Sequence, residues 1–285
     1  MANNLYGICI AKNEADIITF SLTHASGFCK AIFVLDNGST DDTWERIITL
    51  SRRNKKIVPF EKKDCRYGVG LRGYIYNRVC RQFKPGDWLL ILDSDEFLEN
   101  DPQAGIEFCE DHEYELIFTL QAQFYLTPQD FKKEWYQNGH EFIDGFENLP
   151  AHFQINWSEP RLFKYKSDLE WKDMDDQGNP TQISYPTGLG NRSPKKIVNR
   201  HYQYRSLPQM KQRLALRSRV HKETGRFNHN REKDFHKYIR DDRRLKQCRP
   251  GRRIQPTPLD LLRLYLIKRS RRFKRAIMER TLLKA

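Results

Sequence analysis

The run Trp88-Leu89-Leu90-Ile91-Leu92 stops abruptly at Asp93-Ser94-Asp95. Five consecutive apolar residues describe a strand covered on both faces, as in a parallel sheet between helices; a half-wet strand would alternate. Side chains alternate along a strand, so Asp93 and Asp95 project to the same side with Ser94 between them. Two carboxylates on one side of a strand end repel unless a cation lies between them, and a divalent ion that prefers hard oxygen meets that need. Open α/β sheets take ligands at the carboxyl ends of their strands. A metal and a polyphosphate are therefore expected at the triplet. An Asp-x-Asp pair alone reads equally as a solvated acidic turn, so the other strand ends have to decide.

Leu5 to Ile10 reads as a first strand, followed by Ala11-Lys12-Asn13-Glu14 and a helix over about 14–27. Ala31 to Leu35 reads as a second strand, running into Asp36-Asn37-Gly38-Ser39-Thr40-Asp41-Asp42. Asn-Gly marks a turn, and Asp42 with Glu45 predicts a capping box for a helix over 43–51. A weaker strand is expected over Lys56 to Phe60, a helix over about 70–83, a long strand over Glu115 to Tyr125 and a short one over Arg161 to Tyr165. This strand–helix alternation predicts parallel strands with right-handed crossovers. Residues 126–160, rich in aromatics, Gly, Pro and Asn, read as a long loop or lid. From Ser206 the pattern turns helical and basic, over about 207–224, 230–246 and 258–283.

The charge is unevenly spread. Residues 196–285 hold 28 Lys and Arg against 7 Asp and Glu, whereas the whole chain of 285 residues has a net charge of +13. A mildly acidic body thus carries a strongly basic tail, which suggests nucleic acid, an anionic membrane surface or an anionic substrate as partner, or else a solvated helical face. No stretch approaches the roughly 20 apolar residues of a membrane span. The N-terminus lacks the basic start and apolar centre of a secretory signal. Six cysteines without metal-finger or Cys-x-x-Cys spacing read as reduced thiols in a cytosolic protein.

Three strand ends supply polar groups: Asn13 and Glu14, Asp36 and Asn37, Asp93 and Asp95. In a parallel sheet they share one edge, where acids and amides can hold a base and ribose. No Gly-x-x-x-x-Gly-Lys loop is present and no Gly-x-Gly-x-x-Gly follows the first strand, which excludes a P-loop and leaves a dinucleotide fold unsupported. These pieces, with Asp93-Ser94-Asp95-Glu96-Phe97-Leu98 and the later His201-Tyr202-Gln203-Tyr204-Arg205-Ser206, resemble the family 2 glycosyltransferases of GT-A fold, in particular bacterial members that build cell-surface glycans. The resemblance spans about residues 5–206. It implies an α/β, Rossmann-like, mostly parallel sheet flanked by helices, a catalytic domain over 1–205 and a basic helical C-terminal extension over 206–285.

The resemblance also implies roles. Ala11, Asn13, Glu14, Asp36, Asp93 and Ser94 would hold the nucleotide-sugar, with Arg72 and Asn77 at base or phosphate contacts. Asp93, Asp95 and His201 would serve Mn²⁺ or Mg²⁺. His201 reads equally as a packed histidine near a strand end, and Arg72 as a surface cation. The expected reaction is transfer of a sugar from a nucleoside-diphosphate donor to a hydroxyl acceptor, the cation stabilising the departing diphosphate. An inverting reaction needs a carboxylate base. Relatives place it after a strand like Arg161-Leu162-Phe163-Lys164, which here offers Asp175 and Asp176, residues that read equally as a solvated turn. Trp171 reads as a core aromatic rather than an acceptor platform.

Leu259, Leu261, Leu262, Leu264, Tyr265, Leu266 and Ile267 precede the cationic run 268–275. That combination suits an anionic bilayer surface, where glycolipid acceptors reside, and gives an enzyme peripheral to the inner face of the membrane. A helix packed on the catalytic domain is the alternative. A nucleic-acid-binding protein is a competing class, although no recognised motif or aromatic–basic platform supports it. A catalytically silent nucleotide-sugar binder is the third.

Overall fold

The computed structural model describes residues 3–139, 141–142, 145–224, 238–249, 251–267 and 269. Its architecture is the α/β class expected from the sequence. Strands β1 (Leu5–Ala11), β2 (Ala31–Asp36), β3 (Ile57–Lys62) and β4 (Trp88–Asp93) are parallel and lie in the order β3-β2-β1-β4. Helices α1 (Ile18–Ser26), α2 (Thr43–Arg53) and α3 (Leu71–Val79) are the crossovers between them, and α4 (Gln103–Asp111) and α5 (Glu134–Asn138) follow later in the chain. The apolar run of β4 is covered on both sides. Trp88, Leu90 and Leu92 pack with Ile18, Leu22 and Ile47, whereas Leu89 and Ile91 pack with Leu71, Ile75 and Tyr76. Each fully buried side chain of this size stabilises the fold by about 1.5–3 kcal/mol relative to exposure.

Beyond β4 the sheet continues through β7 (His152–Lys164), β6 (Leu116–Tyr125), β8 (Arg192–His201) and β5 (Glu96–Leu98). β7 is antiparallel to β4 and β6, β6 is parallel to β8, and β5 is antiparallel to β8. Register fixes the functional rim. Ala11 pairs with Asp36, Ile10 with Asp93, and Glu96 with His201. The carboxyl ends of three parallel strands and the end of β8 therefore meet at one edge.

Three expectations are corrected and one, the helical stretch over about 70–83, is refined. The strand expected at Arg161 to Tyr165 is the end of the thirteen-residue β7, so the supposed lid over 126–160 contains most of a strand. Its alternation of Phe153, Ile155 and Trp157 is visible in the sequence, but Pro160 masks it. Proline is tolerated there because the β6–β7 register shifts, leaving Arg161 as a bulge between Pro160 and Leu162. The capping box at Asp42 does not form; Thr43 instead donates to Asp41 Oδ1 from its hydroxyl (2.5 Å) and its amide (3.1 Å). The helix expected over about 70–83 stops at Val79 and closes with a single 3₁₀ turn. The helix expected over 230–246 gives way, where described, to a 3₁₀ turn at Asp242–Arg244, capped by Asp241, and to β9 (Lys246–Gln247) on the edge of β7; residues 230–237 lie outside the described residues. The last basic helix is present over 258–267, and most of its expected remainder lies outside them.

Candidate functional site

Above the rim lies a cavity of about 720 Å³. One wall is the strand-end loop from Ile10 to Glu14, the floor is Asp93 to Asp95 with His201, and a second wall is Asn37 and the loop Asp64 to Tyr67. The third wall is a single face of α6 (Leu207–Thr224), which presents Gln209, Arg213, Leu216, Arg217 and Val220 at intervals of three and four residues.

The loop after β1 is shaped by Asn13, whose φ of 55° lies in the left-handed region that Asn tolerates better than most residues. Its side chain accepts from the Thr40 amide (2.8 Å) and its own amide donates to Ser39 Oγ (2.9 Å), so the loops after β1 and β2 brace each other. Gly38, at φ 72°, closes the second loop; a Cβ there would strike Asp64. Asp36 is fully buried. Its Oδ1 accepts from the Ser39 amide (2.7 Å), while Oδ2 has no protein partner. Oδ1 of the adjacent Asn37 is also buried without a partner, and Asn37 lines the cavity. Unsatisfied acceptors in such a place suit the donor groups of a base or sugar.

The carboxylates of the triplet are treated differently. Asp93 is clamped: Arg72 Nη2 donates to Oδ1 and Arg161 Nη2 to Oδ2, each at 2.7 Å. Arg161 also reaches Glu96 (2.5 Å) and Glu159 (3.2 Å). Glu96 in turn accepts from Gln121 and Asn199. Burial alone would raise the Asp93 pKa, but the guanidiniums of Arg161 and Arg72 hold it well below the usual carboxylate range. Burial prevails at Glu96, whose carboxyl is pushed up to about 7 despite Arg161.

Asp95 faces the cavity. His201 Nε2 lies 3.5 Å from Oδ1, and Arg213 Nη1 donates to Oδ2 at 3.0 Å. Gln123 bonds the other ring nitrogen of His201 and fixes the orientation of the imidazole. Burial opposes charge on both partners, yet the pairing with Asp95 raises the pKa of His201, and the pairing with His201 and Arg213 lowers that of Asp95. Burial lifts Glu14 to about 7 despite Arg205 and Arg213.

Of the residues singled out in the sequence, Ala11, Asn13, Glu14, Asp93, Ser94, Asp95 and His201 line the cavity. Asp36 is buried and does not line it, and Arg72 reaches it only through Asp93. Asn77 does not approach it; its amide donates to the Trp171 carbonyl (2.9 Å). Trp171 is a core residue, packed on Tyr76 and Phe163 and donating to Ile183. Asp175 and Asp176 are not brought to the cavity. Asp175 caps an exposed turn, accepting from the Gln177 and Asn179 amides, and Asp176 is exposed beside it. Sequence reasoning missed Arg161, Glu96, Arg205 and Arg213. Arg205 is wholly buried and uses all three guanidinium nitrogens, on Asp16, Glu14 and the Tyr202 carbonyl.

No protein-family model matches the chain, and no curated protein matches it. Solved structures do. S. aureus TarS 1–349 is 16% identical over 79% of this chain and 73% of that one, with a TM-score of 0.39. The same protein in complex with UDP is 20% identical over 47% of this chain and 39% of that one, with a TM-score of 0.32. The mannosyltransferase PcManGT from Pyrobaculum calidifontis, in complex with GDP-Man and Mn²⁺, is 14% identical over 75% of this chain and 61% of that one, with a TM-score of 0.37. The chain spans 39% of the length of the first two TarS structures matched.

Proposed function

We propose that the protein is a divalent-metal-dependent glycosyltransferase that moves a sugar from a nucleoside-diphosphate donor to a hydroxyl acceptor. One observation carries this reading. Asp95, just past the end of β4, and His201, at the end of β8, face each other at 3.5 Å on the floor of a cavity that is also lined by Asn37, whose Oδ1 is buried without a partner.

The residues fit a hard divalent cation that arrives with its substrate. Among the described residues no cluster of three or more His, Cys, Asp or Glu forms a complete cage. Asp95 and His201 are two protein ligands, and ions of the Mg²⁺ and Mn²⁺ type commonly bind through one or two carboxylates plus substrate phosphates. Such an ion would supply Lewis-acid stabilisation of the departing diphosphate. Asp36, Asn13 and the backbone at Ala11 to Glu14 hold the nucleoside. Ser94, flanked by the paired acids, lines the floor. Asp93, fixed by Arg72 and Arg161, presents a charge of constant position toward the ribose. Asn77 belongs to the packing of α3 rather than to this set. The catalytic domain over 1–205 supplies the rim, and the basic extension over 206–285 supplies the α6 wall.

The acceptor in this proposal is a cell-surface glycan or glycolipid, met at the cytoplasmic face of a membrane. Helix 258–267 supports that part. Among the described residues, five of the seven exposed large apolar side chains lie on it: Leu259, Leu261, Leu262, Tyr265 and Leu266. At 100° per residue they cover one arc of about 160°, while Asp260 and Leu264 face inward. The cationic run 268–275 follows directly. Among the described residues no helix is long and apolar enough to cross a membrane; in this proposal the apolar arc docks on the bilayer surface.

The test is a thermal-shift screen of UDP-, GDP-, CMP- and dTDP-sugars with and without Mn²⁺. A metal-dependent shift with one diphosphate class is expected, and Asp95→Ala should abolish it; a shift kept in full by that variant removes the metal role. For the membrane, sedimentation with anionic vesicles should lose the chain when 258–285 is deleted, and unchanged binding ends that claim. A silent nucleotide-sugar binder is the second reading, favoured by the placement of Asp175 and Asp176 away from the cavity. It predicts donor binding with Mn²⁺ and no nucleotide release in the presence of any acceptor.

A further inference from the structure

Arg213 stands where a cation is wanted, and it is poorly satisfied there. Its Nη1 alone serves both Glu14 Oε1 and Asp95 Oδ2, each at 3.0 Å, and its Nε is buried without a partner. Guanidinium forks gain most when several N–H groups are engaged at once. Arg205, which holds the same Glu14, does so with its whole fork. Arg161 also works through one nitrogen, but its side chain is 3% exposed and does not line the cavity. Arg213 does line it, as does Arg217 one helical turn further along. Four residues span about 6 Å along a helix, so the two side chains can each reach one phosphate of a diphosphate.

We infer that Arg213 is an exchangeable counter-ion: it occupies Glu14 and Asp95 while no donor is bound, and moves with Arg217 to the donor's diphosphate when a divalent ion takes Asp95. The inference rests on the reading of the cavity as a donor site and adds to it a mechanism of ordered loading. With the guanidinium in place, Asp95 is already neutralised, so metal alone binds poorly. Metal and diphosphate together bind well, because the diphosphate gives the displaced arginine a better partner. The acids are thereby kept paired at every stage, which avoids a bare buried carboxylate.

The experiment measures Mn²⁺ binding by electron paramagnetic resonance, without nucleotide, on the full-length chain and on Arg213→Gln. About a tenfold or greater gain in Mn²⁺ affinity is expected for the variant, with at least a tenfold loss of UDP or GDP affinity in the presence of Mn²⁺ and no change in UMP affinity beyond about twofold, since a charge-assisted hydrogen bond to a phosphate is worth that much. Glu14→Gln, which removes one anchor of the parked arginine, should act in the opposite direction and strengthen diphosphate binding a few-fold. A merely structural Arg213 would weaken every ligand in both variants. Unchanged or weaker Mn²⁺ binding by Arg213→Gln, in a variant whose circular dichroism shows it folded, overturns the inference, and so does a diphosphate affinity lowered equally by both variants. If the unaltered chain binds no nucleoside diphosphate with Mn²⁺, the donor-site reading and the diphosphate half of the exchange both fall, and the metal-alone comparison still judges whether Arg213 guards Asp95.

Discussion

Asp93 and Asp95 lie two residues apart, carry the same charge and are both held by arginine, yet they occupy different kinds of surroundings. The Asp93 corner belongs to the sheet. Its partners come from α3 and from the bulge in β7, and their side chains are 8% and 3% exposed. The Asp95 corner belongs to the cavity. Its nearest partners, His201 and Arg213, are each 18% exposed and reach in from the end of β8 and from α6; the buried Arg205 lies further off, 3.9 Å from Oδ2. The same chemistry is thus used once as framework and once as a place where charge can be exchanged. The lesson is that an acidic pair at a strand end need not act as a pair: Asp93, although the more exposed acid (33% against 5%), is held by two buried guanidiniums, whereas Asp95 is held by groups that themselves line the cavity.

The largest effect should come from breaking the framework corner. Arg161→Met removes the cation shared by Asp93, Glu96 and Glu159 and leaves three carboxyl groups without it. A loss of about 3–5 kcal/mol of folding free energy is expected, since that is the usual cost of removing one partner of a buried ion pair. Urea denaturation of Arg161→Met measures it. Adding Glu96→Gln should recover part of the loss. A penalty under about 1 kcal/mol would show that the Asp93 corner is as replaceable as its neighbour.

A smaller effect separates the two acids directly. Asp93→Asn takes a charge from Arg72 and Arg161 together and should cost about 2–3 kcal/mol of stability. Asp95→Asn leaves Arg213 its contact with Glu14 and keeps a hydrogen-bonding side chain in place, so it should cost less, about 1–2 kcal/mol, while removing metal-dependent nucleotide binding. The two variants are compared by denaturation midpoint and by titration with UDP or GDP plus Mn²⁺. Equal destabilisation by the pair would erase the distinction between the corners.

The framework was easier to read in the sequence than its fittings. The β4 run announced a strand covered on both faces, and the parallel register that brings Ala11, Asp36 and Asp93 to one rim follows from three such strands with helical crossovers. Arg161 was hidden because a bulge beside Pro160, and not the alternation of β7, sets its position. Arg213 was hidden by reading the C-terminal segment as net charge, although Arg205, Gln209, Arg213 and Arg217 recur every four residues, the mark of one helical face. Arg72 and Asn77 could not both face the rim: five residues on a helix place them about 140° apart, and Asn77 turned to Trp171.

The smallest effect is expected at the hairpin that carries Asp175 and Asp176, and it tests whether the rim alone forms the site. The hairpin lies against the loop before α3, where a Cβ on Gly70 would strike the Asp173 carbonyl and Thr181. Asp175 is spent on its own turn: its Oδ1 takes the amides of Gln177 and Asn179, and those bonds lower its pKa, the Asn179 amide foremost. Asp175→Ala should therefore lower the denaturation midpoint only slightly, as losses of local turn caps do, and Asp176→Ala less. Donor affinity should stay within about twofold for both, because neither side chain lines the cavity. Turnover with an identified acceptor is the sharper measurement. A general base contributes about 10²–10⁴-fold, so a drop of that size in kcat at unchanged KM, in either variant, would mean that the hairpin swings over the rim during the reaction. Turnover within about threefold would leave the chemistry with the groups that Asp93 and Asp95 already gather.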